Sequence, residues 1–233
     1  MQDGRAWDGL LRRLPGGWEP VVVDLPGHGR TGRSAPATMA GATELVLGEL
    51  DRRQIVRTHL VGYSMGGRIA LHLAAEAPDR LLSLTAIGAH AGLDPAARPV
   101  RAAADAALAD RVESEGMGWF AAHWAAQPMF ASLQGREDLD RMRREQDPAA
   151  IAAALRGLGP GAVEPFWDRL AAITVPGLFI AGADDGSYPE LARRLAAAVA
   201  RGRAAVVPGA GHAVHLEQPG AVAELLAAHL SSR

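Results

Sequence analysis

Cysteine and lysine are both absent from this chain of 233 residues, whose 24 basic residues other than histidine are all arginine. Without cysteine, the chain cannot use a thiol nucleophile, a disulfide, an iron–sulfur cluster or a thiolate zinc site. Without lysine, it cannot form a Schiff base or use the lysine of a phosphate-binding P-loop. Its chemistry therefore rests on hydroxyl, imidazole, carboxylate and guanidinium groups.

Long apolar runs and a strong net charge are also missing. No stretch reaches the roughly 18 uninterrupted apolar residues of a membrane span, and the first residues do not resemble a signal peptide. The formal net charge of −2 gives no basic surface for nucleic acid. We therefore expect a cytoplasmic protein with no nucleic-acid or membrane partner. Composition leaves the oligomeric state open.

Short β-branched runs alternate with alanine- and leucine-rich stretches, which predicts an α/β fold with parallel strands joined by helices. The predicted strands are residues 21–25, 59–62, 81–87, 177–181 and 204–207, and the predicted helices are 37–53, 65–76, 189–200 and 219–230. Strand signals stop over 93–166, where the chain is helical and interrupted by prolines. We predict a helical cap there, inserted into a core made of 1–92 and 167–233.

The most informative motif is GYSMG at residues 62–66, between a predicted strand and a predicted helix. A serine in this glycine-flanked turn is held in a strained conformation that lifts its hydroxyl clear of the sheet. The following helix directs its first N–H groups to the same point, where negative charge can develop. The pattern predicts Ser64 as the catalytic hydroxyl and the Met65 N–H as an oxyanion-hole donor.

A serine of this kind needs a base and an acid that orients the base. One later strand is followed by Asp184 and Asp185, and the next is followed by His212. The order serine, acid, histidine is typical of this arrangement. The spacing from the preceding glycine favours Asp185 as the acid, with Asp184 as the alternative.

His215 and Glu217 lie close to His212 in sequence and could suggest a metal site. No third-ligand pattern accompanies them, and His212 already has a role as the base. We predict that the protein uses no metal and no organic cofactor.

Four segments together resemble the α/β-hydrolase superfamily, and within it the family of 2-succinyl-6-hydroxy-2,4-cyclohexadiene-1-carboxylate (SHCHC) synthases of menaquinone biosynthesis. These segments are VDLPGHGRTG, LVGYSMGGRIAL, HWAAQPMFASL and GAGHAVHLEQP. The resemblance implies a mostly parallel sheet flanked by helices, with a helical cap. It also implies a lyase that removes a ring proton and releases an enolpyruvyl group as pyruvate, with Ser64 as the base.

The resemblance further implies which residues bind a substrate that carries several carboxylates. Guanidinium groups bind carboxylates in pairs of hydrogen bonds. Arg68, Arg101 and Arg143 match substrate-binding arginines of the family, with Arg144 competing for the third position. The family's pocket positions also match Tyr63 and Trp124.

Two departures from the family concern the acid loop and the start of the chain. Gly186, Ser187 and Tyr188 stand where the family often carries a lysine after the catalytic aspartate, so one substrate contact is expected to be lost or replaced. The strand ending in His-Gly, which supplies the family's second oxyanion donor, is not found. We expect that the first strands are missing from this chain because its start codon was misassigned, which leaves Met65 as the only backbone donor.

Two other functions fit parts of the pattern. A serine hydrolase acting on a small ester or a carbon–carbon bond would use the same serine, acid and histidine. A non-catalytic fragment would explain the missing strands but not the complete catalytic set. A pocket with several guanidinium groups favours the lyase, whereas an apolar pocket favours the hydrolase.

Overall fold

The protein is described by a computed structural model over residues 2–231, which fall into two compact units. The sheet unit comprises Trp7–Val22, Leu50–Ala91 and Phe166–Arg233, and the helical unit comprises Met1–Ala6, Val23–Glu49 and Gly92–Pro165. The sequence places residues 23–49 in the hydrolase core, whereas by contacts they group with the helical segment. The cap boundaries 93–166 stay a prediction.

Four parallel strands form the sheet in the order β1-β2-β3-β4. They are β1 (Thr58–Tyr63), β2 (Leu81–Ile87), β3 (Gly177–Gly182) and β4 (Gly202–Val207). The parallel α/β architecture and four of the five predicted strands are thereby confirmed.

The predicted strand over 21–25 is wrong, because this segment joins no sheet among residues 2–231. Its β-branched side chains favour an extended backbone, but a strand also needs a neighbouring strand to complete its hydrogen bonds. The polar groups of Asp24 are satisfied locally instead. Its carboxylate accepts hydrogen bonds from the backbone N–H groups of Gly4 (2.8 Å) and Arg30 (2.9 Å). Its carbonyl oxygen accepts one from the Thr31 hydroxyl (2.6 Å).

Helices fill most of the rest of the described chain. They are α1 (Asp8–Leu11), α2 (Met39–Arg52), α3 (Met65–Glu76), α4 (Arg98–Ala125), α5 (Glu137–Arg144), α6 (Pro148–Leu158), α7 (Tyr188–Ala198), α8 (Val214–Glu217) and α9 (Pro219–Leu230). Short 3₁₀ helices cover Gly4–Trp7, Pro78–Arg80, Pro128–Leu133 and Trp167–Ala172. The four helices predicted from the sequence are confirmed as α2, α3, α7 and α9. None of the helices described over 2–231 is long and apolar enough to cross a membrane.

The sheet unit buries its strands between helices. Helix α3 packs on β1 and β2, and α7 packs on β3 and β4. Alternate strand residues contribute to an apolar cluster shared with α1 and α9, since successive side chains of a strand point to opposite faces. The buried members of this cluster include Leu10, Ile87, Leu178, Ile180, Val207, Val214, Val222 and Leu226.

The helical unit has its own core, in which α4 packs against α5 and α6. Helix α4 is interrupted at Gly116, whose φ of 76° is not helical. Helix α6 begins at Pro148 after Asp147, whose side chain accepts hydrogen bonds from the N–H groups of Ala149 and Ala150. Proline in the first turn and an aspartate cap are the usual signals of a helix start.

Candidate active site

A sharp turn between β1 and α3 carries Ser64. Its φ of 50° and ψ of −109° are rare for a residue with a side chain, and its N–H donates to the Ile87 carbonyl oxygen over 2.8 Å. A Cβ atom at Gly62 would overlap the Gly66 carbonyl, and one at Gly67 would lie 2.7 Å from the Ala89 side chain. The glycines therefore permit the turn, and the strain at Ser64 is of the kind found at functional sites.

Ser64, His212 and Asp185 form a continuous hydrogen-bonded series within the sheet unit. The His212 Nε2 atom lies 3.0 Å from the Ser64 Oγ atom, and Nδ1 lies 2.7 Å from the Asp185 Oδ2 atom. His212 is 2% exposed and Asp185 is 6% exposed. In this arrangement the carboxylate orients the imidazole and stabilises its charged form, so that Nε2 can take the serine proton.

Of the two adjacent aspartates, the one that reaches His212 is Asp185. Asp184 is exposed, and its backbone N–H donates to the Ala210 carbonyl oxygen over 2.9 Å. Gly182 lets this loop approach the loop that carries His212, since a Cβ atom there would overlap the carbonyls of Ala210 and Gly211. The contact between the two loops thus leaves the Asp185 carboxylate against the imidazole.

Glu217 stabilises the loop that carries His212. In the sequence, Glu217 drew attention only as a possible metal ligand, and that role was not favoured. The Glu217 carboxylate accepts hydrogen bonds from the N–H groups of Gly211 (2.7 Å) and Ala213 (2.9 Å). These N–H groups flank His212 on both sides. Glu217 follows His212 by five residues on a tight loop, and this spacing was the sequence signal that could have predicted its contact with the loop.

Two tyrosine rings pack against the His212 imidazole. The ring centroid of Tyr63 lies 5.3 Å from that of His212, and the centroid of Tyr188 lies 4.7 Å from it. Tyr63 is partly buried, and its ring centroid also lies 4.3 Å from that of His215. Tyr188 begins α7 directly after the turn that carries Asp185.

His215 is a buried imidazole that lies between Tyr63 and Trp7. It is 1% exposed, and neither ring nitrogen has a hydrogen-bond partner among residues 2–231. Burial, with a smaller effect from His212, lowers the pKa of His215 to about 3. His215 is therefore a neutral ring of the core near neutral pH. Over the same described residues, no group of three or more His, Asp or Glu side chains is placed to hold a metal ion.

Met65 and Arg68 both lie in the first turn and a half of α3. The Met65 N–H is at the helix start, where N–H groups have no partner within the helix and the dipole favours negative charge. Arg68 is 5% exposed, and its backbone N–H donates to the Ser64 carbonyl oxygen over 3.0 Å. Both residues therefore belong to the helix that begins directly after Ser64.

The remaining predicted site residues, Arg101, Trp124 and Arg143, lie in the helical unit. Arg101 has a side chain 46% exposed and pairs with Asp105 at 2.8 Å. Arg143 is 2% exposed and pairs with Asp140 at 2.8 Å, whereas Arg144 is exposed. Trp124 is half-buried, and its ring contacts those of Phe120 and Phe130. Their role in substrate binding remains a prediction.

Comparison with known proteins identifies relatives over nearly the whole chain. A model of the alpha/beta hydrolase family matches residues 2–225. The 2-succinyl-6-hydroxy-2,4-cyclohexadiene-1-carboxylate synthase of Enterobacter sp. (strain 638) is 34% identical over 234 residues, which covers 99% of this chain and 88% of that protein. The similarity thus extends through both units.

Solved structures with a similar fold include MenH and an esterase. MenH from S. aureus superposes with a TM-score of 0.92 at 26% identity, covering 98% of this chain and 89% of that one. A thermophilic esterase from Thermogutta terrifontis, also 26% identical, superposes with a TM-score of 0.81 and covers 98% of this chain and 85% of its own. At equal identity, the backbone is more similar to that of MenH.

Proposed function

The chain belongs to the alpha/beta hydrolase family, and we infer from its relatives that it is a lyase acting as an SHCHC synthase in menaquinone biosynthesis. The observation that carries this proposal is the 34% identity to an SHCHC synthase over 99% of the chain. An alignment of this length includes the helical unit, which carries Arg101, Trp124 and Arg143 among the residues expected to bind substrate.

The proposed reaction is an elimination from 2-succinyl-5-enolpyruvyl-6-hydroxy-3-cyclohexene-1-carboxylate. A base removes a proton from the ring, the electron pair of that C–H bond enters the ring, and the C–O bond to the enolpyruvyl group breaks. Enolpyruvate leaves and takes up a proton to become pyruvate, while the ring gains its second double bond. No water is consumed and no oxidation occurs.

The geometry around Ser64 supports a base for this step. The His212 Nε2 atom, 3.0 Å from the Ser64 Oγ atom, can hold the serine proton while Oγ takes the ring proton. Asp185, 2.7 Å from Nδ1, stabilises the imidazolium that forms. Negative charge that develops on the substrate is favoured near the start of α3, where we propose the Met65 N–H as donor.

A substrate with several carboxylates requires guanidinium partners, which we propose to be Arg68, Arg101 and Arg143. The buried Arg68 follows Ser64 by one turn on α3, so it belongs to the same end of the helix. Arg101 and Arg143 already pair with aspartates of their own helices. A substrate carboxylate would therefore share or displace these aspartates when it binds.

The test is pyruvate release from the proposed substrate, prepared enzymatically and followed with a lactate dehydrogenase coupling. We expect turnover by the wild-type chain and a loss of about a thousandfold or more in Ser64→Ala, because the residues of such a set act as a unit. Asp184→Asn is the matched control, since Asp184 lies next to Asp185 but is exposed, and it should release pyruvate at the wild-type rate.

A serine hydrolase would give a different pattern in the same preparation. Hydrolysis of p-nitrophenyl acetate that depends on Ser64, with no pyruvate from the proposed substrate, would contradict the lyase and favour the hydrolase. Arg68→Leu adds a second criterion. It should raise KM for the polycarboxylate substrate much more than for the uncharged ester, because only the former needs the guanidinium group.

A further inference from the structure

Both tyrosines of this chain, Tyr63 and Tyr188, lie against the ring of His212. Tyr63 is expected to line the pocket beside Ser64, whereas Tyr188 is not among the residues predicted to bind substrate. We propose that Tyr188 is a positioning residue that holds the plane of the His212 imidazole. This proposal rests on the proposed function in one respect, since it takes His212 as the group that accepts the serine proton.

The turn that carries Asp185 also delivers the Tyr188 ring. The Tyr188 N–H donates to the Asp185 carbonyl oxygen over 2.9 Å, and Gly186 within this turn has a φ of 49°. One short turn therefore brings a carboxylate 2.7 Å from Nδ1 and an aromatic ring 4.7 Å from the centre of the same imidazole, at an interplanar angle of 60°.

The hydrogen bonds from His212 to Asp185 and Ser64 restrain one motion of the ring only weakly. Its bonds to Asp185 and Ser64 are made at Nδ1 and Nε2, the two ring nitrogens that flank Cε1. These two bonds oppose displacement of the ring along the line that joins the two nitrogens. They oppose rotation of the ring about that line only weakly, because the energy of a hydrogen bond changes little with small changes of its angle. Contact with the Tyr188 ring opposes the tilt directly.

Other neighbours restrain the remaining sides of the imidazole. The Tyr63 ring is inclined to it by 54°, and Gly88 lies so close that a Cβ atom there would be 3.1 Å from the His212 Cε1 atom. The ring of Tyr188 also lies near that of His90, with 6.4 Å between the ring centroids. Tyr188 is thus anchored in the sheet unit, half-buried, while its ring contacts the imidazole.

The experiment compares Tyr188→Leu and Tyr188→Phe by the rate at which a fluorophosphonate probe labels Ser64. This probe reports how well His212 activates Ser64 and needs no assumption about the natural substrate. We expect Tyr188→Leu to slow labelling about 2- to 10-fold, the loss of one aromatic pair. Tyr188→Phe should restore the wild-type rate because it keeps the ring. Glu190→Gln, an exposed change on the same helix, is the matched control and should label normally.

Two further readouts separate positioning from a general loss of structure. In proton NMR, the low-field resonance of the proton shared by His212 and Asp185 should broaden or shift in Tyr188→Leu and return in Tyr188→Phe. With the proposed substrate, Tyr188→Leu should lower kcat with little change in KM. Tyr188→Met provides the same test with a flexible side chain if the leucine variant does not fold.

Several results would overturn the proposal. Normal labelling by folded Tyr188→Leu would show that the ring does not hold His212, and unfolding of both the leucine and methionine variants would make Tyr188 a stability residue. An increase in KM in Tyr188→Phe would make its hydroxyl a substrate contact instead. If labelling changes as expected but no variant releases pyruvate, the proposed substrate is wrong and the positioning role stands.

Discussion

Replacing the buried His215 by leucine should make the protein more resistant to acid. His215 has an ordinary pKa of 6.5 when unfolded, whereas burial lowers it to about 3 in the folded protein. Between these values the unfolded state takes up a proton that the folded state does not bind, so the wild-type free energy of unfolding falls as the pH is lowered through this window. Below about pH 3 the contribution becomes constant.

The magnitude follows from the size of the window. Each pH unit below 6.5 costs about 1.4 kcal/mol at one such site, so His215 should destabilise the wild type by about 2 kcal/mol at pH 5.0 relative to pH 7.5. At pH 7.5, leucine removes two unpartnered ring nitrogens, whose desolvation costs about 1–3 kcal/mol each. It also loses ring contacts with Trp7 and Tyr63, worth about 0.5–1.5 kcal/mol each. The two effects have opposite signs and both are present at either pH, so they do not alter the difference between pH 7.5 and 5.0.

Urea unfolding of the wild type and His215→Leu at pH 7.5 and 5.0 measures this difference. The free energy of unfolding of the variant, relative to that of the wild type, should increase by about 2 kcal/mol from pH 7.5 to pH 5.0. His215→Gln should differ from the leucine variant at neutral pH, yet it should show the same gain at pH 5.0 because it too lacks the titrating group. The buried His28, whose pKa burial lowers to about 4, is common to all three proteins and drops out of the comparison. Stability curves for His215→Leu that run parallel to those of the wild type would refute the reasoning.

Three further substitutions test the groups around His212. Asp185→Asn should lower the Ser64 labelling rate by about 10³- to 10⁴-fold, because the imidazole would lose its charged partner, while Asp184→Asn should label normally; equal losses would contradict the assignment. Glu217→Gln should destabilise the fold by about 1–3 kcal/mol in urea, since one of the two side-chain oxygens that accept from the N–H groups flanking His212 would be replaced by an NH₂ group. It should slow labelling as well, and an unchanged rate would show that the loop keeps its conformation without Glu217. Gly88→Ala should slow labelling by displacing the imidazole, in addition to the strain of a φ of 56°; a folded alanine variant with wild-type labelling would show that the imidazole tolerates the extra methyl group.

The order and type of the elements near the active site could be predicted from the sequence. Helix α3 runs from Met65 to Glu76 as predicted, and Pro78 prevents its continuation. The strands that precede Asp185 and His212 were also predicted, because short apolar runs that end at glycine turns are typical of buried strands. Parallel strands bring their carboxyl ends to one edge, so the order of Ser64, Asp185 and His212 was enough to predict that they meet.

Contacts between distant segments decided the rest. Local sequence favoured Asp185 over Asp184 only by its spacing from a glycine. The packing of their loop against the loop of His212, 27 residues later, places the Asp185 carboxylate against the imidazole. The Tyr188 ring and the Glu217 carboxylate acquired their places in the same way, because side-chain direction in a loop depends on what the loop packs against. The segment 21–25 failed as a strand for a related reason. Its β-branched side chains determine an extended backbone, but a ladder exists only where a second strand lies beside it, and that is a property of the tertiary structure.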